Sequence, residues 1–440
     1  MGTTSRSRGL RILAAAATAV LALAATGAVA YRVFAPAEVL APARVAAYPS
    51  APTSPVGVRG TLPAAPLIVA GRIRVTAADR QVSADGPIDA KYRNSPYWSY
   101  RRWPAELTGV LAVAPADDAD SGESRVVTRW SDGEVVALDA RTGQVAWRAS
   151  GPATDSRYAG RRTGAETVYH PPGLRLARTA QGVPVLTVAG RTELRGLDPA
   201  SGRQLWRAEV PAACRVDELT STAGQLIAVD ACATPRVLEF RDPATGAVQR
   251  RWRPEAPAQA ATGEQFRLVG LGCGAGSDCP AIRLTVGGDE TTADPDAITG
   301  WLVDRPEPVR APDLDTPEST VVDGLVVSVA GGQVLARPVR GGEPRWRHRI
   351  PADSRLLAVQ PGRVHLVDPG NELLTLDSTS GDERSKFDLR YADDGIDWTP
   401  GEAYAAAGLV MVERLTPPVD PAAPDTRYYS AARPVILAVT

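Results

Sequence analysis

The segment Val135–Arg148, "VVALDARTGQVAWR", is restated at Arg195–Arg207, "RGLDPASGRQLWR", and again at Leu238–Trp252, "LEFRDPATGAVQRRW". A hairpin that recurs along a chain specifies a repeat architecture, and that constrains the fold more than any other feature here. In the first copy Val135, Val136, Ala137 and Leu138 read as a strand buried on both faces. Asp139 offers a carboxylate to the amides of the turn, and Gly143 supplies the φ > 0 position of a hairpin with a bulge. Val145 and Trp147, two residues apart, share a face of the outgoing strand. Asp198, Gly202 and Trp206 repeat the spacing. Asp242 and Gly246 keep the turn, with Trp252 displaced along the strand. Later copies are degenerate: Gly342 and Trp346 follow Pro338 in the Asp position, and Asp377 and Gly381 precede Phe387.

On these turns the chain resembles the PQQ-like β-propeller repeats of the quinoprotein dehydrogenases, over about residues 100–440. The resemblance implies a ring of four-stranded blades, with an outer-strand tryptophan docking between neighbouring blades. Trp98, Trp147, Trp206, Trp252 and Trp346 are the residues it assigns that role. It implies no particular activity, because propellers host many. Strand-like segments between the tryptophans form seven sets of about 50 residues, or eight if Ile68–Asp89 builds its own. The expected fold is therefore all-β, a seven-bladed propeller over 95–440, and 40 Gly with 38 Pro suits a turn-rich chain. The last copy ends at "RPVILAVT" with Thr440 in the Asp position, so it lacks an outgoing strand. The segment "SPYWSYRRWP", containing Trp98 and Trp103, is expected to pair beside Pro434–Val439 and close the ring.

Ahead of the ring, Arg6, Arg8 and Arg11 precede an uncharged run from Ile12 to Tyr31. A helix of that length spans about 30 Å, one bilayer core, and the basic flank places everything after it outside the cytoplasm. The expected organisation is a cytoplasmic N-terminus (1–11), a signal-anchor (12–34) and a Pro/Ala-rich stalk (35–94) before the propeller (95–440). Cleavage after "AVA" at Ala28–Ala30 would instead give a secreted protein. Cys214 is the first cysteine, so no residue near the membrane segment can carry a lipid.

The four cysteines form two local pairs, Cys214 with Cys232 and Cys273 with Cys279. Pairing by proximity is one of three connectivities and suits an oxidising, extracytoplasmic compartment. A net charge of −1 implies no general attraction to nucleic acid. Only two basic residues are lysines, which with the abundant Ala and Pro reads as the signature of a GC-rich bacterial genome.

Candidate chemistry is sparse. "GLGCGA" at Gly270–Ala275 matches a dinucleotide fingerprint but is followed by Pro280 and a strand-like run, where the fingerprint needs a helix. Asp118 and Asp120 resemble the start of a calcium loop, yet Gly122 and Arg129 fall where further ligands belong. His170, His348 and His365 are scattered over different strand sets, and no G-x-S-x-G or HExxH occurs. The quinone-binding enzymes of the family use pyrroloquinoline quinone with calcium, and many close over it with adjacent cysteines; this chain has no Cys-Cys pair and no C-x-x-C-H. No catalytic, cofactor or metal residue is assigned. The expectation is a membrane-anchored, extracytoplasmic binding scaffold for a protein or small ligand, with a PQQ- and calcium-dependent oxidoreductase as the alternative.

Overall fold

The structure, a computed structural model, describes residues 37–440 except 46, 92–95, 115–123, 161, 211–218, 223, 231, 234–236, 255–265, 274–277, 287–296, 306, 391–397 and 417–432, and before them 18, 22 and 25–27. It contains eight antiparallel sheets, and each is a propeller blade. Blade 1 is Leu67–Val69, Ile73–Ala78, Gln81–Asp85 and Trp98–Trp103. Blade 2 is Leu107–Val113, Arg125–Trp130, Glu134–Asp139 and Val145–Ser150. Blade 3 follows with Leu174–Arg178, Pro184–Ala189, Glu193–Leu197 and Gln204–Glu209, and blade 4 with Leu219–Thr222, Gln225–Asp230, Val237–Arg241 and Val248–Trp252. Blade 5 comprises Phe266–Leu271, Ala281–Val286, Ile298–Leu302 and the short Val309–Arg310. Blade 6 is Ser319–Val322, Leu325–Ala330, Gln333–Pro338 and Trp346–Arg349; blade 7 is Arg355–Gln360, Arg363–Val367, Glu372–Asp377 and Glu383–Asp388. Blade 8 has Thr399–Ala406, Leu409–Leu415 and Val435–Val439, and takes its fourth strand, Gly57–Leu62, from the other end of the chain.

The ring thus has eight blades where the tryptophan count gives seven. Ile68–Asp89 builds a set of its own, and Trp98 belongs to that set, opposite Ala84. The strand beside Val435–Val439 is Gly57–Leu62, with Thr61 opposite Ile436, not the Trp98 segment. The principle of closure by an N-terminal strand holds, but the identity of the strand differs. The physical reason is local: "GVRGTL" carries no tryptophan, and its Gly60 backs directly onto the Lys91 carbonyl, where any side chain would collide. The described part of the 35–94 segment is consequently not a tether, since it builds strands of blades 8 and 1. It also supplies Ala37–Ala41, a fifth strand on the outer edge of blade 1.

Each seam between blades has its own buried apolar cluster. Blades 2 and 3 meet through Val127, Ala137, Leu174, Leu186 and their neighbours. Blades 4 and 5 meet through Ile227, Phe240, Ile282 and Trp301, and blades 8 and 1 through Leu62, Ile68, Met411 and Leu437. This is the packing that strands apolar on both faces require, because each sheet is sandwiched by the next. The segment 12–34 lies almost entirely outside the described residues; among those described, no helix is long and apolar enough to cross a membrane.

Candidate functional site

The repeated turn works as predicted within its own blade and also reaches the blade before it. Asp139 Oδ1 accepts the amides of Arg141 (3.1 Å) and Thr142 (2.8 Å), and the Gly143 amide closes on the Asp139 carbonyl at 2.8 Å. Gly143 adopts φ 73°, and a Cβ there would stand 2.5 Å from Trp98 of blade 1. The Trp98 indole donates to the carbonyl of Ala140 at 2.8 Å. The same latch recurs where Trp147 donates to Pro199 (3.0 Å), Trp206 to Pro243 (2.6 Å) and Trp346 to Ser378 (2.9 Å). In every case the acceptor follows the turn Asp by one residue, and the turn Gly lies under the indole. A bulge at the residue before the tryptophan, as at Ala146 and Leu205, rotates the edge strand so that the indole points inward.

Trp252 has a different place. Counting eight from Asp242 lands on Arg250, whose guanidinium lies 4.0 Å over the Phe240 ring and faces Glu307 of blade 5. Trp252 stands further along and meets Trp301 edge-on at 4.7 Å. Strict counting of the repeat would have found Arg250 from sequence.

Two polar clusters lie near the ring axis. The first is a plug. The inner strand of blade 1 is only Leu67–Val69, paired with Ile73–Val75, so the edge of Thr76–Ala78 is open. The connection between blades 2 and 3 sends the helix Ala165–Tyr169 over it, and Gly164 approaches the Ala77 carbonyl too closely for any Cβ. Tyr169 stacks on Tyr404 of blade 8 at 3.9 Å and 9°, and its hydroxyl donates to the Pro66 carbonyl at 2.5 Å. Thr163 donates to the buried Glu413 carboxylate. Burial raises the phenol pKa of both Tyr169 and Tyr404, so both stay neutral. The plug residues come from blades far apart in sequence, and no local pattern announces them.

The second cluster joins blades 3, 4 and 5. Arg175 Nε donates to Ser221 Oγ at 3.2 Å, and its terminal nitrogen lies 3.1 Å from Cys279 Sγ. Thr220 Oγ1 is 3.0 Å from the same sulfur, and the Cys279 amide donates to the Ser221 carbonyl at 2.7 Å. Burial pushes the Arg175 guanidinium down to about 10, against the opposing pull of Asp278, so it stays charged at neutral pH. Burial raises Asp278, with Ser221 and Arg175 acting the other way.

Cys273 and Cys279 form the expected disulfide. Cys232 is disulfide-bonded as well, while Cys214 lies outside the described residues. The histidines are far apart: His365 is buried between Gln360 (2.9 Å) and Thr375 (3.1 Å), His348 meets the Gly381 carbonyl at 3.1 Å, and His170 is exposed. Gly270 sits in a strand and Ala281–Val286 is another, so among the described residues of this segment no helix offers its N-terminus to a pyrophosphate; Asp118 and Asp120 lie outside the described residues. The described polar groups at the axis do not suit the quinone–calcium pair. The carboxylate of Asp278 is set against a guanidinium, Glu413 is bonded to Thr163, and the described residues form no group of three metal-ligating side chains.

The model of a protein family described as outer membrane protein assembly factor BamB matches residues 2–170 and 123–268. The chain belongs to this family. No curated protein matches it by sequence. Among solved structures, it is similar to BamB from Moraxella catarrhalis at 16% identity and TM-score 0.42, covering 86% of this chain and 95% of that one. It is also similar to the computationally designed Ika8 protein, at 14% identity and TM-score 0.44, covering 87% and 98%. BBS1N in complex with ARL6DN follows at 11% and 0.32, covering 76% of this chain and 91% of that one.

Proposed function

We propose that this protein is an extracytoplasmic propeller, held at the membrane by its N-terminal apolar run, that acts as a non-catalytic docking scaffold for a protein partner of the cell envelope. The observation that carries the reading is the match to a family described as an assembly factor, over a span that begins at residue 2. Three features support it. Among the described residues, Arg175, Asp278 and Glu413 make bonds that join blades or hold the plug. The histidines are dispersed. The three described half-cystines, Cys232, Cys273 and Cys279, are disulfide-bonded, which suits an extracytoplasmic location. In this reading the anchor is the apolar run Ile12–Tyr31. The docking surface is the face that carries the connection 151–173 and the ends of the two strands that residues 416–434 join, Leu415 and Val435, because loops on a rigid scaffold carry recognition. Mild crosslinking of the full-length protein in membranes, followed by capture and mass spectrometry, tests this. A reproducible envelope protein crosslinked to 151–173 or 416–434 supports the reading. Crosslinks confined to other surfaces contradict the assigned face, and a quinone chromophore retained by the ectodomain after adding the quinone and calcium would replace the reading with an oxidoreductase.

A further inference from the structure

The disulfide Cys273–Cys279 sits in the connection between the first two strands of blade 5, and its two sulfurs have unlike surroundings. Cys279 is fully buried, whereas Cys273 is part-exposed. Both sulfurs rest on the backbone of Gly270, within 2.7 Å of where a Cβ would stand. Among the described residues, Cys279 gathers the Arg175 guanidinium at 3.1 Å, the Thr220 hydroxyl at 3.0 Å, and an amide bond to blade 4 that fixes its position. A disulfide kept only for stability gains nothing from a cation against one sulfur. A cation there stabilises that sulfur as a thiolate, and the sulfur with the lower thiol pKa is the better leaving group in exchange.

We propose that Cys273–Cys279 is an exchangeable disulfide, arranged so that an external dithiol attacks Cys273 and Cys279 departs as a thiolate held by Arg175 and Thr220. In the first step the attacking thiolate forms an S–S bond to Cys273 Sγ, and the electron pair of the original S–S bond passes to Cys279 Sγ. The second thiol of the reductant then attacks the mixed disulfide and expels Cys273. The dithiol is oxidised and the cysteine pair reduced by two electrons. Of the dithiol's two protons, one ends on Cys273 and the other is released to water. The product thiolate competes with Asp278 for the Arg175 charge. Reduction therefore rearranges the contact among blades 3, 4 and 5, next to a seam where Arg250 replaces the indole latch.

The test compares reduction of this bond with that of the Cys232 disulfide in the same molecule. Native protein, Arg175→Lys and Arg175→Met are treated with dithiothreitol at pH 7, quenched with acid, and alkylated for peptide mass spectrometry. Arg175→Met should slow reduction of Cys273–Cys279 by about tenfold, the effect of losing a cation beside the leaving sulfur, with Arg175→Lys close to native. The Cys232 bond should be reduced at an unchanged rate in both variants. A purely structural role for Arg175 predicts the opposite sign, because a loosened hairpin is reduced faster. Equal or faster reduction in Arg175→Met, with the Cys232 rate unchanged, overturns the proposal. A second measurement needs no variant: brief exposure of the native protein to glutathione should leave the mixed disulfide on Cys273, and glutathione on Cys279 would overturn the proposal as well.

Discussion

The seam between blades 2 and 3 and the seam between blades 4 and 5 join equivalent strands by different chemistry. At the first, Trp147 donates to Pro199 and lies on Gly202, while the buried Arg129 donates to the carbonyl of Pro172 at 2.9 Å. At the second, Arg250 takes the indole's position and Trp252 packs edge-on against Trp301. The difference lies in what each receiving blade offers. Blade 3 presents the Asp198–Gly202 turn, with a free carbonyl and no Cβ under the ring; blade 5 joins its outer strands through 303–308, which has no such turn. The rule holds at the four latched seams. Trp98, Trp147, Trp206 and Trp346 face the turns at Asp139, Asp198, Asp242 and Asp377. Where the next blade lacks the turn, the position holds Arg250 in blade 4 and Gly60 in blade 8. A latch is a property of two adjacent blades, not of one repeat.

The largest effect should come from the seam with no indole and no covalent continuity within the blade, that between blades 8 and 1. Deleting residues 1–62 removes the outer strand of blade 8, including the buried Leu62, and exposes the edge of Val435–Val439. This truncation should lose cooperative unfolding, whereas deleting 1–36 should leave the melting temperature unchanged. Equal melting of the two would break the comparison. Next, Trp147→Ala should destabilise by about 3–5 kcal/mol in denaturant melts, as for emptying a buried aromatic site. Trp252→Ala, half-buried and unlatched, should lose about 1–2 kcal/mol; the reverse order would show that the latch is not what holds the seams.

The part of this that sequence revealed was the turn. Asp139, Gly143 and Trp147 carry a period because one blade encodes its own hairpin. What it hid was every contact made between blades. Gly143 is read from sequence as a φ > 0 residue, and nothing local says that it also receives Trp98. The closing strand was missed because "GVRGTL" has a glycine where the signature has a tryptophan, and the first blade because 86–97 replaces its turn. The Arg175–Ser221–Cys279 cluster joins three blades, and the plug joins Tyr169 to a tyrosine of the last blade, so neither leaves a spacing to find.

Smaller effects sharpen the same contrast. Gly246 and Gly324 share φ 73°, but a Cβ on Gly246 would stand 2.4 Å from Trp206, whereas Gly324 has open space. Gly324→Ala should cost about 1 kcal/mol for the backbone alone, and Gly246→Ala about 1–2 kcal/mol more, because it also lifts an indole. Equal losses would mean that the ring yields without cost. The least effect near neutral pH belongs to the seam of blades 7 and 8, where Gln360 receives the Gly408 amide at 2.8 Å and binds His365. Burial pushes His365 down to about 3, from 6.5 in the unfolded chain. Its neutral form is the folded one, so stability is whole above pH 6.5. As pH falls below that, the unfolded chain takes up a proton that the fold refuses, costing about 1.4 kcal/mol per pH unit until the folded pKa is reached. Replacing His365→Gln should flatten that slope in urea melts between pH 6.5 and 4, and an unchanged slope would assign the acid sensitivity to other groups.

The central claim is an eight-bladed ring closed by Gly57–Leu62, and pairing register tests it most directly. Thr61 lies opposite Ile436, so a Thr61→Cys, Ile436→Cys protein should form a new disulfide that joins the ends of the ring. Mass spectrometry of the unreduced protein should find the 61–436 crosslink, and a Trp98→Cys, Leu437→Cys protein should form none. A crosslink between 98 and 437, with none between 61 and 436, would contradict the account and restore a seven-bladed ring closed by the Trp98 segment.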